Sequence, residues 1–150
     1  MKVVIRPARI ENGTQFLSLV DALADYEKLK RPTRAARSRL LRDGFGRNKR
    51  FDSLLAFVDG EAVGYAIIFE TYSSFLAKPT LYLEDLFVLP AHRGNKIGLR
   101  LYHRCLREAR RRRCGRMEWV VLDWNQPAIR FYEKLGARQL DNWLLYRISL

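Results

Sequence analysis

One stretch near the middle of the chain, residues 81–101 (LYLEDLFVLPAHRGNKIGLRL), constrains the possible folds most strongly. Its first part, residues 81–89, is apolar and aromatic apart from two adjacent acids, which predicts a buried strand that Pro90 ends. A basic turn with two glycines follows, and the apolar residues Ile97, Leu101 and Cys105 then recur at helical spacing. Free backbone N–H groups in a turn at a helix N-terminus attract anions. The stretch therefore predicts a phosphate-holding turn close to a buried carboxylate.

The composition indicates a single domain that spans residues 1–150, with 48% hydrophobic and 12% aromatic residues to fill its core. No segment approaches the ~20 consecutive apolar residues of a membrane span. The first residues, MKVVIRPAR, are typical of a strand and lack the layout of a signal peptide. Cys105 and Cys114 are the only cysteines, so a disulfide framework is not expected. We expect a cytoplasmic protein.

The formal net charge is +12, which favours a polyanionic partner, either a nucleic acid or a phosphate-bearing cofactor. The positive charge also disfavours a polycationic substrate unless an acidic pocket overcomes it locally. His92 and His103 have no cysteine or histidine at a ligand spacing, so no metal site is expected.

Helical and strand-like patterns alternate along the chain. Asn12 and Thr33 are expected to cap two helices, and Asp59-Gly60 suits the tight turn of a hairpin. Predicted strands lie at residues 3–5, 54–58, 62–71, 81–89 and 117–122, with a last pair around Asp141-Asn142. The pattern predicts an α/β (α+β) fold, a central mixed and largely antiparallel sheet flanked by helices on both faces.

Two motifs in this order resemble the GNAT superfamily of acetyl-CoA-dependent N-acetyltransferases: LEDLFVLPAHRGNKIG, and WNQPAIRFYEKLGA at residues 124–137. The segments VIRPA (residues 4–8), Tyr26-Glu27, LLRDGFG (residues 40–46) and LYLEDLFV make the chain most similar to the diamine (spermidine/spermine) acetyltransferase branch. The resemblance implies a GNAT-like sheet, acetyl-CoA as cofactor and a homodimer.

The resemblance implies a cofactor site made of a strand edge, the basic turn, the helix that follows it and part of the second motif. Its residues are Leu86, Phe87, Val88, Arg93, Gly94, Asn95, Lys96, Ile97, Gly98, Leu99, Asn125, Ala128 and Tyr132. Lys96 stands where the family carries a glycine, a residue that permits φ > 0 or a close approach of ligand to backbone. Its ammonium could add a phosphate contact or crowd the turn.

Acetyl transfer to an amine requires a base, because an amine with a pKa near ~10.4 is free in only about one molecule in 10³ at neutral pH, a handicap of roughly 4 kcal/mol. By resemblance Glu84 helps to deprotonate the amine, and Tyr132 protonates the departing thiolate. A salt bridge for Glu84 and a core position for Tyr132 are the alternatives. Asp85 is expected to point to the opposite face of the strand and to be structural.

The resemblance also implies an acceptor site, formed by Tyr26, Glu27, Glu84, Glu118, Trp119 and Asp141. Lys28-Leu29-Lys30-Arg31 and Ser73-Ser74 stand where diamine acetyltransferases are acidic. These departures disfavour long polyamines and favour a smaller amine such as a lysine analogue. The substrate class is therefore a small primary amine: a diamine, a polyamine or a lysine analogue.

Three other functions fit parts of the sequence. A protein or peptide N-acetyltransferase keeps the chemistry, and a sensor that binds acyl-CoA keeps only the fold. A basic nucleic-acid-binding domain fits the net charge, but the arginines are spread over several elements and no nucleic-acid motif is present, so such binding is not expected.

Overall fold

The computed structural model describes residues 1–150, which form two compact units, Met1–Trp119 and Val120–Leu150. The first unit holds five strands and three helices. They are β1 Val3–Pro7, α1 Gly13–Tyr26, α2 Arg34–Phe45, β2 Asp52–Val58, β3 Glu61–Ser73, β4 Lys78–Val88, α3 Ile97–Arg111 and β5 Arg116–Glu118. Short 3₁₀ helices at Ile10–Asn12 and Pro90–His92 precede α1 and α3.

The five strands form one sheet in the order β1-β2-β3-β4-β5. The pairs from β1 to β4 are antiparallel and β4 pairs with β5 in parallel, which confirms the predicted mixed, largely antiparallel sheet. The hairpin between β2 and β3 turns at Asp59 and Gly60, with φ angles of 49° and 88°. Positive φ at both positions is the mirror-image turn that the Asp-Gly pair predicts.

Helices cover both faces of the sheet, as expected. On one face, α3 buries Ile97, Leu101 and Cys105 against strand residues such as Leu81. On the other face, α1 buries Phe16 against Tyr65 and Phe87, and residues of α2 pack beside them. None of the helices combines the length and the apolar character that a membrane crossing requires.

Two irregularities of β4 matter for the site. Between β3 and β4, Ile67 faces Asp85 whereas Ile68 faces Leu83, so Glu84 is the extra residue of a β-bulge. Between β4 and β5, pairing covers only residues 80–82 opposite 116–118. From Leu83 onward, one edge of β4 therefore has no neighbouring strand.

The predicted caps differ in outcome. The Thr33 side chain accepts a hydrogen bond from the Ala36 amide at 3.2 Å, which confirms it as the N-cap of α2. Asn12 lies at the N-cap position of α1 but does not cap that helix with its side chain. Its Oδ1 instead accepts hydrogen bonds from Arg6 Nη1 and the Arg9 amide, both at 3.1 Å. Asn12 therefore ties β1 to the turn that precedes α1.

The second unit contains one helix, α4 Gln126–Lys134, with Pro127 in its first turn as predicted. The predicted strand at residues 117–122 is wrong in length, because β5 contains only Arg116–Glu118. The predicted strand pair around Asp141-Asn142 is wrong, since those residues form a turn and residues 143–150 form no strand. An apolar pattern alone does not make a strand, because strand backbones need a partner and an isolated hairpin is marginal in water.

Candidate active site

A cavity of about 330 Å³ opens on the face of the sheet that carries α1 and α2. Its wall is mostly apolar, and three charged side chains stand around it. The apolar residues are Leu40, Phe51, Ile67 and Phe69, and the charged ones are Arg50, Glu84 and Asp85. Such a cavity suits a small ligand that has an aliphatic middle and at least one cationic end.

The β-bulge explains why two consecutive acids line one cavity. In a regular strand, neighbours point to opposite faces, which is why Asp85 was expected to face away from Glu84. That expectation is wrong, because the extra residue at Glu84 interrupts the alternation and leaves both carboxylates on the same side. The protein therefore presents two acids, not one, to the cavity.

Asp85 is held by the most buried tyrosine of the core. The Tyr65 hydroxyl donates a hydrogen bond of 2.9 Å to Asp85 Oδ2. Burial raises the pKa of Asp85 to about 6, against the opposing effect of the Tyr65 hydrogen bond and with the help of the Glu84 and Glu27 charges. Burial, and then the Asp85 charge, raise the pKa of Tyr65 well above its ordinary value, so this hydroxyl stays a donor.

The end of α1 brings two further predicted residues to the same place. Burial raises the pKa of Glu27, and the charge of Glu84 raises it further. The Tyr26 ring lies 6.1 Å from the Phe87 ring, centroid to centroid. Tyr26, Glu27 and Glu84, predicted from separate parts of the sequence, are therefore neighbours in the fold. Glu27, Glu84 and Asp85 thus form a cluster of three carboxylates within a basic protein.

The basic turn between β4 and α3 has the geometry of an anion site. Gly94 and Lys96 have φ angles of 80° and 60°, and Lys96 is the N-cap residue of α3. The helix bonds begin when the Arg100 amide donates to the Lys96 carbonyl at 3.0 Å. The amides of the first helical turn, Ile97 to Leu99, therefore have no partner within the helix, and they point out of its N-terminus.

The side chain of Arg93 packs back against the end of β4 and the end of α1. Its Nε donates to the Val88 carbonyl at 3.0 Å, and its guanidinium lies 4.5 Å from the centre of the Tyr26 ring. The same guanidinium lies 5.5 Å from the Phe87 ring. Arg93 thus connects the anion turn to the end of α1, where the acceptor-site pair lies.

These features fit the cofactor that the sequence implies. The unpaired edge of β4, which contains Leu86, Phe87 and Val88, offers main-chain groups to an extended amide-bearing arm. The N-terminus of α3 and the Lys96 ammonium lie after the end of that strand and suit phosphates. No group of three or more His, Cys, Asp or Glu side chains is placed to hold a metal ion.

Two other residues predicted for the acceptor site, Trp119 and Glu118, do not line the cavity. Trp119 packs against Tyr102 of α3, with ring centroids 5.9 Å apart, on the face opposite the cavity. Glu118 forms an ion pair of 2.9 Å with Arg116 and faces Tyr82 across the β4–β5 pair. The acceptor roles predicted for Trp119 and Glu118 remain predictions.

Four predicted residues belong to the second unit. Asn125 Oδ1 accepts a hydrogen bond of 3.4 Å from the Ala128 amide, so Asn125 caps α4. The Tyr132 ring lies 5.3 Å from that of Phe131, and Asp141 is in a turn. Their parts in cofactor and substrate binding remain predictions.

Several side chains at the cavity were not predicted from the sequence; they are Leu40, Arg50, Phe51, Tyr65, Ile67, Phe69 and Asp85. Asp85 had no sequence signal of its own, because adjacent residues of a regular strand point to opposite faces and only the bulge changes this. Tyr65 lies in an apolar strand pattern that predicts only a core residue, and the hydrogen bond from its hydroxyl to Asp85 is visible only in the structure. Leu40 and Arg50 lie in separate elements, and only tertiary packing brings them to the cavity.

Comparison with known proteins agrees with this architecture. Residues 17–137 match the family described as Acetyltransferase (GNAT) family. A thialysine N-epsilon-acetyltransferase of Mus musculus is 33% identical over 156 residues, which span 97% of this chain and 91% of that protein. Spermidine/spermine N(1)-acetyltransferase-like protein 1 of Homo sapiens is 34% identical over 155 residues, which span 97% of this chain and 22% of that protein.

The fold is also found among solved structures. AAC(6')-Iy in complex with the bisubstrate analogue CoA-S-monomethyl-acetylneamine has a TM-score of 0.81 with this chain, at 19% identity and over 100% of both chains. The chain belongs to the acetyltransferase (GNAT) family and is an acetyl-CoA-dependent N-acetyltransferase. The family that the two sequence motifs resemble is thereby confirmed.

Proposed function

We propose that this protein transfers the acetyl group of acetyl-CoA to a primary amine of a small molecule by direct attack. The observation that carries this proposal is the small cavity that Glu84 and Asp85 share, beside the unpaired edge of β4. Two carboxylates attract a cationic amine, and the largely apolar wall suits the aliphatic chain of a small molecule.

Glu84 is the residue that we assign to deprotonation of the ammonium, directly or through one water. Its position supports the role, because it lines the cavity and lies at the bulge where the unpaired edge of β4 begins. Asp85 lies next to it and holds the second negative charge. The two carboxylates together favour binding of the charged amine and accept its proton as attack proceeds.

When bound, acetyl-CoA supplies the thioester carbonyl that the amine attacks, so a C–N bond forms as the C–S bond breaks. A main-chain N–H of Leu86, Phe87 or Val88 donates to that carbonyl oxygen as negative charge develops on it. Tyr132 donates its phenolic proton to the departing sulfur. No covalent bond to the protein is required.

The basic turn is the proposed site of the cofactor phosphates. The amides of Ile97, Gly98 and Leu99 lie at the N-terminus of α3, where the helix dipole favours negative charge. Gly94 and Asn95 shape the turn, and the Lys96 ammonium adds a positive charge. Asn125 and Ala128 are proposed to contact the pantetheine arm, as the sequence motif implies.

The relatives support a small-molecule acceptor. One is named for thialysine, an amine that also carries a carboxylate, and another is named for the polyamines spermidine and spermine. The net charge of +12 and the basic residues Lys28 to Arg31, which follow the acceptor-site pair Tyr26-Glu27, favour the smaller and less cationic of these two classes.

We also propose that the protein is a homodimer in the cytoplasm. Large apolar side chains near the C-terminus are exposed, which marks a surface that a partner copy could cover; they are Trp143, Leu144, Leu145, Tyr146 and Ile148. The two cysteines are unpaired, as is usual in a reducing compartment. Sedimentation equilibrium should give twice the 17.6 kDa chain mass. A monomer would contradict the dimer without affecting the proposed chemistry.

The direct test is thiol release from acetyl-CoA with a panel of small amines. We expect turnover that falls by about 10²-fold in Glu84→Gln and in Tyr132→Phe, because each loses a proton-transfer group. Tyr72→Phe and Glu61→Gln are matched controls, since both residues are exposed on β3, and they should keep full activity.

Other outcomes separate the alternative functions. Binding of coenzyme A without turnover on any amine, with turnover on an acidic peptide, would favour a protein acetyltransferase. Binding without turnover on either substrate would favour a sensor. If coenzyme A did not bind, the proposed cofactor site would be wrong.

A further inference from the structure

The Tyr65 side chain is completely buried, and its hydroxyl reaches Asp85 at the cavity. Its ring lies edge-on to that of Phe16, with centroids 5.8 Å apart, and 6.4 Å from that of Phe87. Tyr65 faces Phe87 across the β3–β4 pair, and Ile67, two residues further along β3, faces Asp85. Tyr65 and Asp85 are therefore diagonal neighbours on the two strands. Because the ring packs against two other aromatic rings, the position of its hydroxyl is fixed.

The two oxygens of the Asp85 carboxylate have different surroundings. Oδ2 accepts the hydrogen bond of 2.9 Å from the Tyr65 hydroxyl. Oδ1 accepts no hydrogen bond from the protein, and no fully buried side-chain oxygen lacks a partner, so Oδ1 is open to water. Asp85 lines the cavity, and its free oxygen is therefore the one that a ligand there can reach.

The charge of Asp85 has one favourable partner in the protein. Burial and the charges of Glu84, on the same strand, and Glu27, after the end of α1, raise the pKa of Asp85, and the Tyr65 hydrogen bond lowers it. Arg50 lines the same cavity from the loop before β2, but it is not among the groups that shift the pKa of Asp85. Without the Tyr65 hydroxyl, the ionised carboxylate would be desolvated and surrounded by like charges.

The Tyr65–Asp85 pair is not needed to fill the core. A buried hydroxyl and a buried carboxylate both lose hydration, and replacing both partners by apolar groups of the same shape is often neutral or stabilising. The pair therefore adds no stability that a phenylalanine beside an apolar residue would not supply. Its place at the cavity points to a role in the reaction.

Building on the proposed function, we propose that Tyr65 is a positioning residue for the acceptor amine. Its hydroxyl holds one oxygen of Asp85 and thereby directs the other oxygen into the cavity, where that oxygen binds the ammonium of the acceptor. Tyr65 itself does not touch the substrate. A charge-assisted hydrogen bond to a fixed oxygen provides orientation as well as attraction, and it places the amine nitrogen beside Glu84, which takes its proton.

Tyr65→Phe is the first test, because it removes only the hydroxyl and keeps the ring that packs in the core. In the wild type, the acidic limb of kcat/KM for the amine should lie near the Asp85 pKa of about 6. In the variant, the limb should move up by about one pH unit, because the charged carboxylate loses its hydrogen-bond donor and binds a proton more tightly. Thiol-release assays with lysine and cadaverine between about pH 5 and pH 9 measure both limbs.

KM at about pH 9 separates orientation from charge. Asp85 is ionised at this pH in the wild type and in Tyr65→Phe, so a difference between them does not come from its protonation. Tyr65→Phe should still raise KM for the amine by about 3-fold or more, the effect of losing one hydrogen bond that orients the carboxylate. KM for acetyl-CoA should stay the same.

Asp85→Asn shows whether Tyr65 acts through this carboxylate. Adding Tyr65→Phe to Asp85→Asn should change KM for the amine by less than about 2-fold, because the charge that the hydroxyl orients is already absent. Tyr72→Phe is the matched control, since it removes an exposed hydroxyl from the same strand, and it should behave as the wild type. Thermal melts of each variant identify any loss that comes from unfolding.

A measurement on the wild type does not depend on how the variants fold. Saturation with lysine should lower the pKa of Asp85, followed through its carboxyl carbon resonance by NMR, because the ammonium binds the free oxygen. An unchanged Asp85 titration would overturn the contact.

An unchanged pH profile and KM in Tyr65→Phe would overturn the role of Tyr65 and leave the proposed acetyl transfer intact. So would an equal rise in KM in the wild-type and Asp85→Asn backgrounds, since Tyr65 would then act on the core and not through Asp85. Failure of the wild type to acetylate any amine of the panel would overturn both proposals.

Discussion

The charged form of Asp85 destabilises the fold, and the same charge lines the candidate site. Its carboxyl is desolvated, accepts one hydrogen bond from Tyr65 and shares its surroundings with Glu84 and Glu27. A carboxyl of this kind is expensive to ionise, so it binds a proton more tightly in the folded protein than in the unfolded chain. In the proposed function, the charged form of Asp85 attracts the ammonium of the acceptor.

This linkage makes the stability difference between Asp85→Asn and the wild type depend on pH. The pKa of Asp85 is about 6 when folded and 3.8 in its ordinary state. The favourable contribution of the protonated group is fully present below pH ~4 and is lost as pH rises through ~6. The amide of the variant stays neutral and can still accept from Tyr65. We expect the variant to be more stable than the wild type at pH 8, by up to about 3 kcal/mol, and equal to it near pH 4.

Urea denaturation at a series of pH values between 4 and 8 measures this difference. A gain in unfolding free energy that is the same at pH 4 and pH 8 would contradict the assignment, because only a titrating group gives a pH-dependent gain. Activity should fall in the same variant, since the stabilised protein lacks one of the two charges that hold the amine.

Lys96 has a backbone conformation that suits glycine. Its φ of 60° and ψ of 13° lie in the left-handed region, which costs a non-glycine residue roughly 1 kcal/mol or more. We expect Lys96→Gly to be more stable than Lys96→Ala by about 1 kcal/mol in urea denaturation, because both variants lack the ammonium and only alanine keeps the strain. Equal stability of the two variants would show that the turn relaxes.

Calorimetric titration with coenzyme A should show weaker binding to both variants than to the wild type if the Lys96 ammonium contacts phosphate.

At the scale of elements, periodicity predicted β1 to β4 and the helices because each has one buried face whose spacing is visible in the sequence. The same reasoning failed at the bulge, since alternation assumes a regular ladder and Glu84 interrupts it. It also failed around Asp141-Asn142, where apolar residues have no strand partner. The candidate site was predicted as far as the motifs extend; Arg50 depends on how a loop packs, which no local pattern reports.

The junction of α2 with the loop before β2 shapes one wall of the cavity. A Cβ added at Gly44 of α2 would stand 2.6 Å and 2.7 Å from two ring carbons of Phe51, which lines the cavity. Replacing a helical glycine by alanine normally stabilises by up to about 1 kcal/mol. Here we expect Gly44→Ala to destabilise by about 1–3 kcal/mol, because the Phe51 ring must move in a packed core.

Gly44→Ala should change the kinetics for the amine and not those for acetyl-CoA, because it moves the Phe51 wall of the cavity. KM for the amine should rise several-fold, while KM for acetyl-CoA stays the same, because the proposed cofactor site lies at β4 and α3. Ser38→Ala, at an exposed position of the same helix, is the control and should change neither stability nor KM appreciably. A stabilised Gly44→Ala with wild-type kinetics would mean that the Phe51 ring is free to adjust.

At the scale of the whole molecule, the net charge of +12 acts on the two substrates in opposite directions. It attracts the polyanionic cofactor and repels cationic amines, and the acidic cavity reverses this repulsion only at short range. Salt screens the long-range field over a Debye length of about 10 Å at 0.1 M, and it screens contacts inside the cavity much less.

This difference in range gives the two substrates opposite salt dependences. Raising the ionic strength from about 0.03 M to about 0.3 M should increase KM for acetyl-CoA several-fold, because attraction of the polyanion is screened. KM for a dicationic amine such as cadaverine should fall or stay constant over the same range, because the repulsion is screened too. Lysine, with one net positive charge, should respond less than cadaverine.

Steady-state assays with one substrate saturating measure each response. Parallel increases in all three KM values would show that the contacts within the site, and not the field of the whole molecule, control binding.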